Sequence, residues 1–390
     1  MKRKAIPTML PIRRKPPRKA TLKKTKRKTP MSKKVMLAMS GGVDSSCALL
    51  LLQKQGYEVI GATMRLFDTD SEVCGSFRDR EDARAVAARF NIPHYVFDFR
   101  DKFKKEVIDR FNDQYLRGLT PNPCVDCNRF LKFSALLEEA DRLGCDYIAT
   151  GHYARVGFDP ESGRYLLKTA ACEGGLNPKD QSYVLYNLTQ AQLTRVLFPL
   201  GDIAKEEVRK LAEKNGLVNH DKPDSQDICF VPDGKYADFI ENYTGIKPHE
   251  GKVIDKNGNV LGSHGGMISY TIGQRKGLGI AFGKPMYVIG KNAEENTVTV
   301  GEKDELFSEG LIAEELNWIA AEKVTEEISC FAKTRYKQKE TPCKVIPLEK
   351  DTVRVIFDTP QRAVTCGQRI VFYNGENVIG GGVIKKPIKM

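Results

Sequence analysis

The sequence predicts an α/β protein in which an N-terminal parallel sheet is followed by a small central β-rich domain and a C-terminal β-barrel. Three observations support this fold class. Apolar runs alternate with helical segments between residues 33 and 150, as in a parallel sheet with helices on both faces. Beyond residue 250, short β segments alternate with turn residues. The glycine-containing turn from Ser40 to Ser46 joins the first strand to the first helix.

The alternating half begins with VMLAM, Val35 to Met39, whose continuous apolar character is typical of a strand buried on both faces. Gly56 is placed to end the helix that follows. Further strands are predicted at 58–64, 94–99 and 146–150, and helices at 43–55, 78–90, 102–117 and 133–143.

Beyond Gly151 the pattern changes. ARVGFDPESGRYLLKTA predicts a hairpin that turns at Ser162-Gly163, and residues 182–217 are predicted to be helical. VIDKNGNVLG carries Asn257-Gly258, a strong hairpin signal. Segments 253–302 and 330–386 are predicted to be β units, the second a closed barrel. We expect a disordered basic extension (1–31), the α/β catalytic domain (32–235), the central domain (236–302) and the barrel domain (303–390).

The net charge of +12 is concentrated at the N-terminus. Residues 1–31 hold 13 Lys and Arg and no acidic residue, which leaves 49 basic against 50 acidic residues in the rest of the chain. The proline-rich extension predicts either sequence-independent RNA binding or an artefactual addition before a true start at Met31. No apolar run is long enough to span a bilayer and no signal peptide is evident, so a cytoplasmic protein is expected.

The turn AMSGGVDSS, Ala38 to Ser46, predicts a phosphate-binding loop. A helix N-terminus offers free N–H groups and a positive dipole end to an anion. Gly41 and Gly42 allow the backbone to approach a phosphate closely. Asp44 would repel phosphate, so its simplest role is to hold a magnesium ion. No GK[ST] follows, so the turn is not a Walker A motif.

The SGGVDS turn resembles the signature of the PP-loop ATP pyrophosphatase superfamily, whose members split ATP into AMP and pyrophosphate to activate an oxygen as a leaving group. Four further motifs narrow the resemblance: TPNPCVDCNRF (120–130), TGHYAR (150–155), KDQSYVL (179–185) and DSQDICFV (224–231). With the β-rich C-terminal half, they resemble the tRNA-specific 2-thiouridylase family over residues 33–388. That family replaces the 2-oxygen of the wobble uridine with sulfur.

The resemblance implies roles for individual residues. The ATP-binding positions are Ala38, Met39, Ser40, Gly41, Gly42, Val43, Asp44, Ser45, Met64 and Gly151. The target base would meet Asn122, Pro123 and Cys124, and the tRNA would contact His152, Lys179, Asp180, Gln181, Arg335, Tyr336 and Gln368. Cys127 and Cys229 match the two catalytic cysteines.

The implied chemistry accounts for these residue types. AMP transferred to the uridine 2-oxygen creates a leaving group, and sulfur then attacks carbon-2. In the persulfide version, Cys229 carries the terminal sulfur and Cys127 attacks Cys229 to release it, leaving a Cys127–Cys229 disulfide. The implied partners are ATP with Mg²⁺, the tRNA anticodon stem-loop with its base flipped out, and a sulfur-donor protein.

Cys124 departs from the family pattern, which has Asp at this position. Cys124, Cys127 and Cys229 together would offer three thiolates, a set that suits a 4Fe–4S cluster with one open iron. We expect this cluster ahead of two alternatives, a zinc site and an inert extra thiol. A structural zinc site would need a fourth ligand, and the sequence has no second CxxC to supply one.

Two other functions compete with tRNA thiolation. One is a PP-loop synthetase that adenylates a small-molecule carboxylate, which would not need Cys127 and Cys229. The other is a non-catalytic RNA-binding protein, which would not need an intact SGGVDS. The stretches at 273–279 and 334–339, which combine basic side chains with an amide or an aromatic group, favour an RNA partner over the first alternative.

Overall fold

The computed structural model describes residues 32–67, 76–217, 228–231 and 233–389. Lys33–Met390 form one compact unit. The predictions made for the extension 1–31 and for residues 224–227 lie outside the described residues. Among the described helices, none combines the length and the apolar character that crossing a membrane requires.

The first half contains a layered α/β region. In chain order its elements are β1 (Lys34–Ala38), α1 (Val43–Lys54), β2 (Glu58–Arg65), α2 (Phe77–Arg89), β3 (His94–Asp98), α3 (Arg100–Phe103), α4 (Arg110–Leu116), α5 (Pro123–Cys127), α6 (Leu136–Arg142), β4 (Tyr147–Ala149), β5 (Ala154–Asp159), β6 (Arg164–Thr169), β7 (Ala171–Cys172), β8 (Gly175–Leu176), α7 (Gln190–Leu193), β9 (Val196–Leu197), α8 (Lys205–Lys214) and α9 (Tyr236–Thr244). Lys104–Asp109 and Asn128–Ala135 are π-helical, and Ser182–Leu185 is a 3-10 helix.

The parallel sheet has the order β3-β2-β1-β4-β9. Its central strand is buried on both faces, as the apolar run predicts. Val35 and Leu37 pack in one cluster with α1 and α2, whereas Met36 packs in the other with Phe103 and the rest of the second helical layer. The chain leaves β1 towards β2 and β3 and later returns to the other side of β1 as β4. The order therefore reverses between β1 and β4, where ligands bind in open parallel sheets.

Two helical predictions need correction. Residues 182–217 are not helical throughout, because Val196–Leu197 forms the edge strand β9 beside β4. The helix predicted at 133–143 begins earlier, since α5, the π-helical segment and α6 follow one another without interruption from Pro123 to Arg142. The CxxC stretch therefore lies in the first turn of a helix.

The second half forms two β units. Its strands are β10 (Gly251–Ile254), β11 (Val260–His264), β12 (Tyr287–Asn292), β13 (Thr297–Gly301), β14 (Phe307–Trp318), β15 (Ile328–Lys333), β16 (Thr341–Pro347), β17 (Val353–Arg362), β18 (Arg369–Asn374) and β19 (Asn377–Lys389). β10 to β13 form the central four-stranded sheet, and the β10–β11 hairpin turns at Gly258, whose φ is +85°. The hairpin predicted from Asn257-Gly258 is confirmed.

The predicted closed barrel is also confirmed. Six strands follow the order β14-β17-β16-β15-β18-β19, and β14 pairs with β19 to close the ring. Closure removes open strand edges and encloses an apolar core. The β5–β6 hairpin continues the barrel sheet through the Lys168–Asn377 pair. The barrel and the α/β region are thus joined by shared backbone pairing as well as by apolar packing.

Candidate active site

The nucleotide loop follows β1 and ends in the first turn of α1. Gly42 is the N-cap residue, with extended backbone and no capping side chain. The hydroxyls of Ser45 and Ser46 donate to the Gly42 carbonyl oxygen at 3.0 and 3.1 Å. In this conformation both hydroxyls shape the loop, while Ser40 is exposed. The helix N-terminus is the feature of the loop that favours an anion.

Two glycines bring neighbouring segments against this loop. Gly41 has φ of +71°, and a Cβ there would lie 2.4 Å from the Asp79 carbonyl oxygen in α2. A Cβ on Gly151, just after β4, would lie 2.9 Å from the Ser45 nitrogen. Any side chain at either position would clash with backbone. The loops after β1 and β4 therefore meet at the point where the strand order reverses.

Asp44 is held by two side chains that the sequence did not single out. The Lys205 ammonium group, at the start of α8, lies 2.8 Å from both carboxylate oxygens of Asp44. The Tyr153 hydroxyl donates to Asp44 Oδ1 at 2.7 Å. Lys205 stands in an amphipathic helical pattern without distinguishing signal, whereas Tyr153 lies inside TGHYAR.

Cys47 lies one turn further along α1 and is not a nucleophile candidate. Burial raises the pKa of its thiol to about 12, and the Asp44 charge adds to the effect. Its sulfur donates to the Val208 carbonyl oxygen in α8. Cys47 therefore serves the packing of α1 against α8.

The CxxC stretch begins helix α5. Asn122 is the N-cap residue and its side-chain oxygen accepts from the Val125 nitrogen at 3.4 Å, while Pro123 occupies the first helical turn. Cys124 is exposed and Cys127 is half-buried. An Asn followed by Pro is a helix-start signal that could have located this helix from the sequence.

A barrel segment, residues 366–369, docks onto the beginning of this helix. The Thr120 nitrogen donates to the Cys366 carbonyl oxygen at 2.9 Å, and Gln368 Nε2 donates to the Pro121 carbonyl oxygen at 3.4 Å. The guanidinium group of Arg369 lies 3.1 Å from the carboxylate of Asp126. The Asp126 side chain lies between the two cysteines in sequence, so the barrel directly holds the helix that carries them.

Burial raises the pKa of Asp126, and the nearby guanidinium groups of Arg369, Arg110 and Arg129 oppose that shift. Arg369 also donates to the Gly367 carbonyl oxygen. Nothing in the sequence distinguishes Arg369 from other strand residues, because its partner lies 243 positions away.

Cys127 and Cys229 share one apolar environment. Both are half-buried and pack against the large core cluster that contains Phe103, Phe111 and Phe230. The ring of Phe230, next to Cys229, lies 5.1 Å from that of Phe111 and 5.9 Å from that of Phe103. Both cysteines that the resemblance singles out therefore border the large core cluster.

The three thiols do not form a metal site in the part of the chain that the structure describes. No group of three or more His, Cys, Asp or Glu side chains there has a geometry that could hold a metal ion. Cys124 is exposed, whereas Cys127 and Cys229 are half-buried and pack against the large core cluster. The described residues therefore do not show the three-thiolate cluster, which stays a prediction.

Tyr336 brings one group of predicted tRNA contacts together. Its ring lies 6.1 Å from that of Tyr183. Its hydroxyl pKa is raised to about 12 by burial and by the charges of Asp180 and Cys124. Arg335, beside it, donates to the Ala363 carbonyl oxygen at 3.0 Å. The barrel loop with Tyr336 and the start of α5 thus border one surface.

Two predicted tRNA contacts have side chains engaged inside the protein. His152 is 9% exposed, shares a 2.7 Å hydrogen bond with Thr150, and contacts the rings of Phe133 and Phe198. Burial lowers the pKa of His152 well below its usual value. Asp180 is also 9% exposed, and its carboxylate accepts from the Ala170 nitrogen and the Ser182 hydroxyl.

In this conformation these two side chains position the motifs around them, and their contact with RNA stays a prediction. The remaining contacts lie closer to the surface. Lys179 is exposed, and Gln181 is half-buried with its side-chain oxygen accepting from the Tyr153 nitrogen at 3.0 Å. Because Tyr153 also binds Asp44, the KDQ segment and the nucleotide loop are linked by two successive hydrogen bonds.

Comparison with known proteins agrees with this arrangement. A model of the tRNA methyl transferase HUP domain matches residues 33–233, the tRNA methyl transferase PRC-barrel domain matches 237–302, and the aminomethyltransferase β-barrel domain matches 308–384. The tRNA-specific 2-thiouridylase MnmA of Acetivibrio thermocellus is 52% identical over 360 residues, covering 90% of this chain and 99% of the relative. The same enzyme of Carboxydothermus hydrogenoformans is 51% identical, covering 91% and 98%.

The chain belongs to the tRNA-specific 2-thiouridylase family.

Among solved structures, this chain resembles the U34-tRNA thiolase NcsA of Methanococcus maripaludis, solved with its 4Fe–4S cluster. The likeness has a TM-score of 0.33 at 19% identity and covers 54% of this chain and 66% of the other.

Proposed function

We propose that the chain catalyses ATP-dependent 2-thiolation of the wobble uridine of tRNA. Family membership makes it a tRNA sulfurtransferase. The observation that supports the reaction is the combination, in one compact unit, of a nucleotide loop at the sheet reversal with two half-buried cysteines that both pack against the large core cluster. A small-molecule synthetase would have no use for this second feature.

The first step is adenylation of the uridine. The 2-oxygen attacks the α-phosphate of ATP, pyrophosphate leaves, and AMP remains attached to the oxygen. In this proposal the backbone from Ala38 to Ser45 binds the phosphates at the start of α1, and Met64 and Gly151 border the nucleotide. Mg²⁺ would accompany the phosphates of ATP and neutralise their charge. We assign no residue as its ligand, because the Asp44 carboxylate is occupied by Lys205 and Tyr153.

Sulfur transfer follows on the two cysteines. A sulfur-donor protein loads Cys229 with a persulfide. The Cys127 thiolate attacks the Cys229 Sγ, and the terminal sulfur leaves as hydrosulfide, which attacks carbon-2 of the activated base while AMP departs. The product is 2-thiouridine, and the enzyme is left with a Cys127–Cys229 disulfide. A dithiol reductant then supplies two electrons and restores both thiols.

We propose the persulfide route ahead of the cluster, because Cys124 is exposed whereas Cys127 and Cys229 both pack against the large core cluster. Cys124 then acts at the surface that receives the target base, together with Asn122 and Pro123. The anticodon stem-loop would lie across Lys179, Gln181, Arg335, Tyr336 and Gln368. An aromatic ring and basic groups at this surface suit a flipped base and its phosphates.

The test is formation of 2-thiouridine in unmodified tRNA. The protein is incubated with ATP, Mg²⁺, a persulfide-loaded donor and a reductant, and the nucleosides are analysed by mass spectrometry. Cys127→Ser and Cys229→Ser should each abolish the product, whereas Cys172→Ser, a matched half-buried cysteine on β7, should not. AMP formed with a small carboxylate and no 2-thiouridine would show that the proposal is wrong.

The choice of sulfur carrier has its own test. Cys124→Asp should retain thiolation, because a persulfide cycle uses only Cys127 and Cys229. Protein purified without oxygen should contain less than about one iron per chain, far below the four of a 4Fe–4S cluster. Stoichiometric iron and acid-labile sulfide that disappear in Cys124→Asp would instead establish the cluster route.

A further inference from the structure

The sequence pattern assigns Asp44 to a magnesium ion, and the structure places an ammonium group there instead. Lys205 Nζ lies 2.8 Å from Oδ1 and 2.8 Å from Oδ2 of Asp44, and the Tyr153 hydroxyl lies 2.7 Å from Oδ1. Both carboxylate oxygens therefore already accept charge-assisted hydrogen bonds. A divalent cation on Asp44 would have to displace an ion partner of the same sign.

The position of Lys205 shows that this contact is built into the fold. Its side chain is 6% exposed, although lysine is rarely buried without a partner. It begins α8, whose Val208 and Ala212 pack against Cys47 of α1. An uncompensated ammonium group here would carry a large desolvation cost. Lys205 and Asp44 therefore depend on each other.

The charge of Asp44 matters because of where it lies. It stands two residues after the N-cap of α1, and its side chain is 30% exposed. A free carboxylate this close to the loop would repel the phosphates of a nucleotide by an amount that grows as water is excluded. An ammonium group on both carboxylate oxygens cancels that repulsion.

We propose that Lys205 is a positioning residue of the nucleotide loop, which neutralises Asp44 in the place assigned to magnesium and thereby makes the loop receptive to ATP. The proposal rests on the proposed function only in requiring that the loop binds ATP. Asp44, Lys205 and Tyr153 then act as one unit that holds α1, α8 and the TGHYAR segment in register around the phosphates.

The test is a double-mutant cycle on ATP affinity, measured by calorimetry without tRNA. Lys205→Met leaves the Asp44 charge uncompensated, so we expect ATP affinity to fall about tenfold or more. Asp44→Asn combined with Lys205→Met removes both charges and should restore affinity to within about threefold of the wild type. Lys205→Arg keeps the charge, so its ATP affinity should lie between that of Lys205→Met and that of the double variant. Lys210→Met, an exposed lysine on the same helix, is the matched control.

Magnesium dependence provides the second readout. If Asp44 is neutralised by Lys205, the free Mg²⁺ concentration that gives half-maximal ATP binding should be the same in Asp44→Asn, in the double variant and in the wild type. A loss of Mg²⁺-dependent ATP binding in Asp44→Asn or in the double variant would overturn the proposal and return Asp44 to the metal. Asp44→Asn keeps the side-chain shape and supplies this outcome even where Lys205→Met fails to fold.

The outcome also separates this inference from the proposed function. Wild-type protein that binds no ATP under any condition would contradict the proposed function itself. Wild-type protein that binds ATP, with a double variant that does not, would contradict only the role of Lys205.

Discussion

Two ion pairs among the described residues, Asp126–Arg369 and Asp44–Lys205, differ in their access to solvent. The side chains of Asp126 and Arg369 are 2% and 4% exposed, and they join helix α5 to the barrel. Those of Asp44 and Lys205 are 30% and 6% exposed, and they join α1 to α8 beside the nucleotide loop. The first pair links two domains, and the second lies within one domain at the edge of a ligand site.

This difference in exposure indicates that the two ion pairs have different roles. No water can replace a lost partner of Asp126, so its ion pair fastens the cysteine helix to the barrel and makes separation of the two costly. The Asp44 carboxylate keeps some contact with solvent, so its ion pair can respond to a nucleotide with a smaller change in stability. The barrel therefore has a mechanical role in holding Cys127 besides its predicted contacts with tRNA.

The largest effect is expected from breaking the interdomain pair. Arg369→Met leaves the Asp126 carboxylate buried without its partner and should lower the free energy of unfolding by about 3–5 kcal/mol. Urea denaturation followed by circular dichroism measures this change. Asp126→Asn combined with Arg369→Met should recover most of the loss, because no charge remains buried. A single variant that is as stable as the wild type would show that the pair does not hold the domains.

A buried charge without an ion partner gives the next largest effect. Within the described residues, Lys291 Nζ is buried and has no hydrogen-bond partner, and it lies 5.9 Å from the centre of the Tyr115 ring. Burial lowers the pKa of Lys291 to about 8 from 10.5. The folded state therefore binds this proton more weakly than the unfolded state, and the ammonium form destabilises the fold.

Because the pKa of Lys291 is lowered on folding, its destabilising effect depends on pH. The cost of Lys291 is fully present below about pH 8 and disappears as the pH rises towards 10.5. Lys291→Met should therefore raise the free energy of unfolding by about 2–3 kcal/mol at pH 7 and by much less at pH 10.5. Urea midpoints of both proteins at the two pH values test this. An equal gain at both would mean that packing, and not charge, is responsible.

Breaking the Asp44–Lys205 pair should cost less stability than breaking the Asp126–Arg369 pair. Lys205→Met should lower the free energy of unfolding by about 1–2 kcal/mol, since solvent partly compensates Asp44. Its principal effect should be on ATP affinity. Thermal unfolding of Lys205→Met and Arg369→Met under the same conditions compares the two losses of stability. A larger loss for Lys205→Met would reverse the ranking of the two pairs.

The smallest effect on the free energy of unfolding is expected from an exposed ion pair. Arg84 and Glu81 lie 3.0 Å apart on α2, with side chains 61% and 44% exposed. Arg84→Met should change the free energy of unfolding by about 0.5 kcal/mol or less, and added salt should reduce even that. A loss comparable to that of Lys205→Met would mean that burial does not govern the contribution of these pairs.

Local patterns predicted much of the fold and part of the site. The apolar run at Val35 to Met39, the turn at Ser40 to Gly42 and the Asn257-Gly258 hairpin each depend on neighbouring residues, so the sequence expresses them directly. The strand Val196–Leu197 escaped prediction because two residues are too few to show a period. The start of α5 was not predicted, although Asn122 followed by Pro123 is a helix-start signal.

The sequence by itself determined the α/β and barrel architecture, the nucleotide loop and the identity of the two cysteines proposed to carry the chemistry. Only the tertiary structure decided which partners surround them: Lys205 on Asp44, Arg369 on Asp126, and a separate environment for Cys124. The physical reason is distance along the chain. Hydrophobic periodicity and turn chemistry act within a few residues, whereas the partners of a buried charge are 161 and 243 residues away in these two pairs. Desolvation makes such partners obligatory, but only the folded chain shows which residues they are.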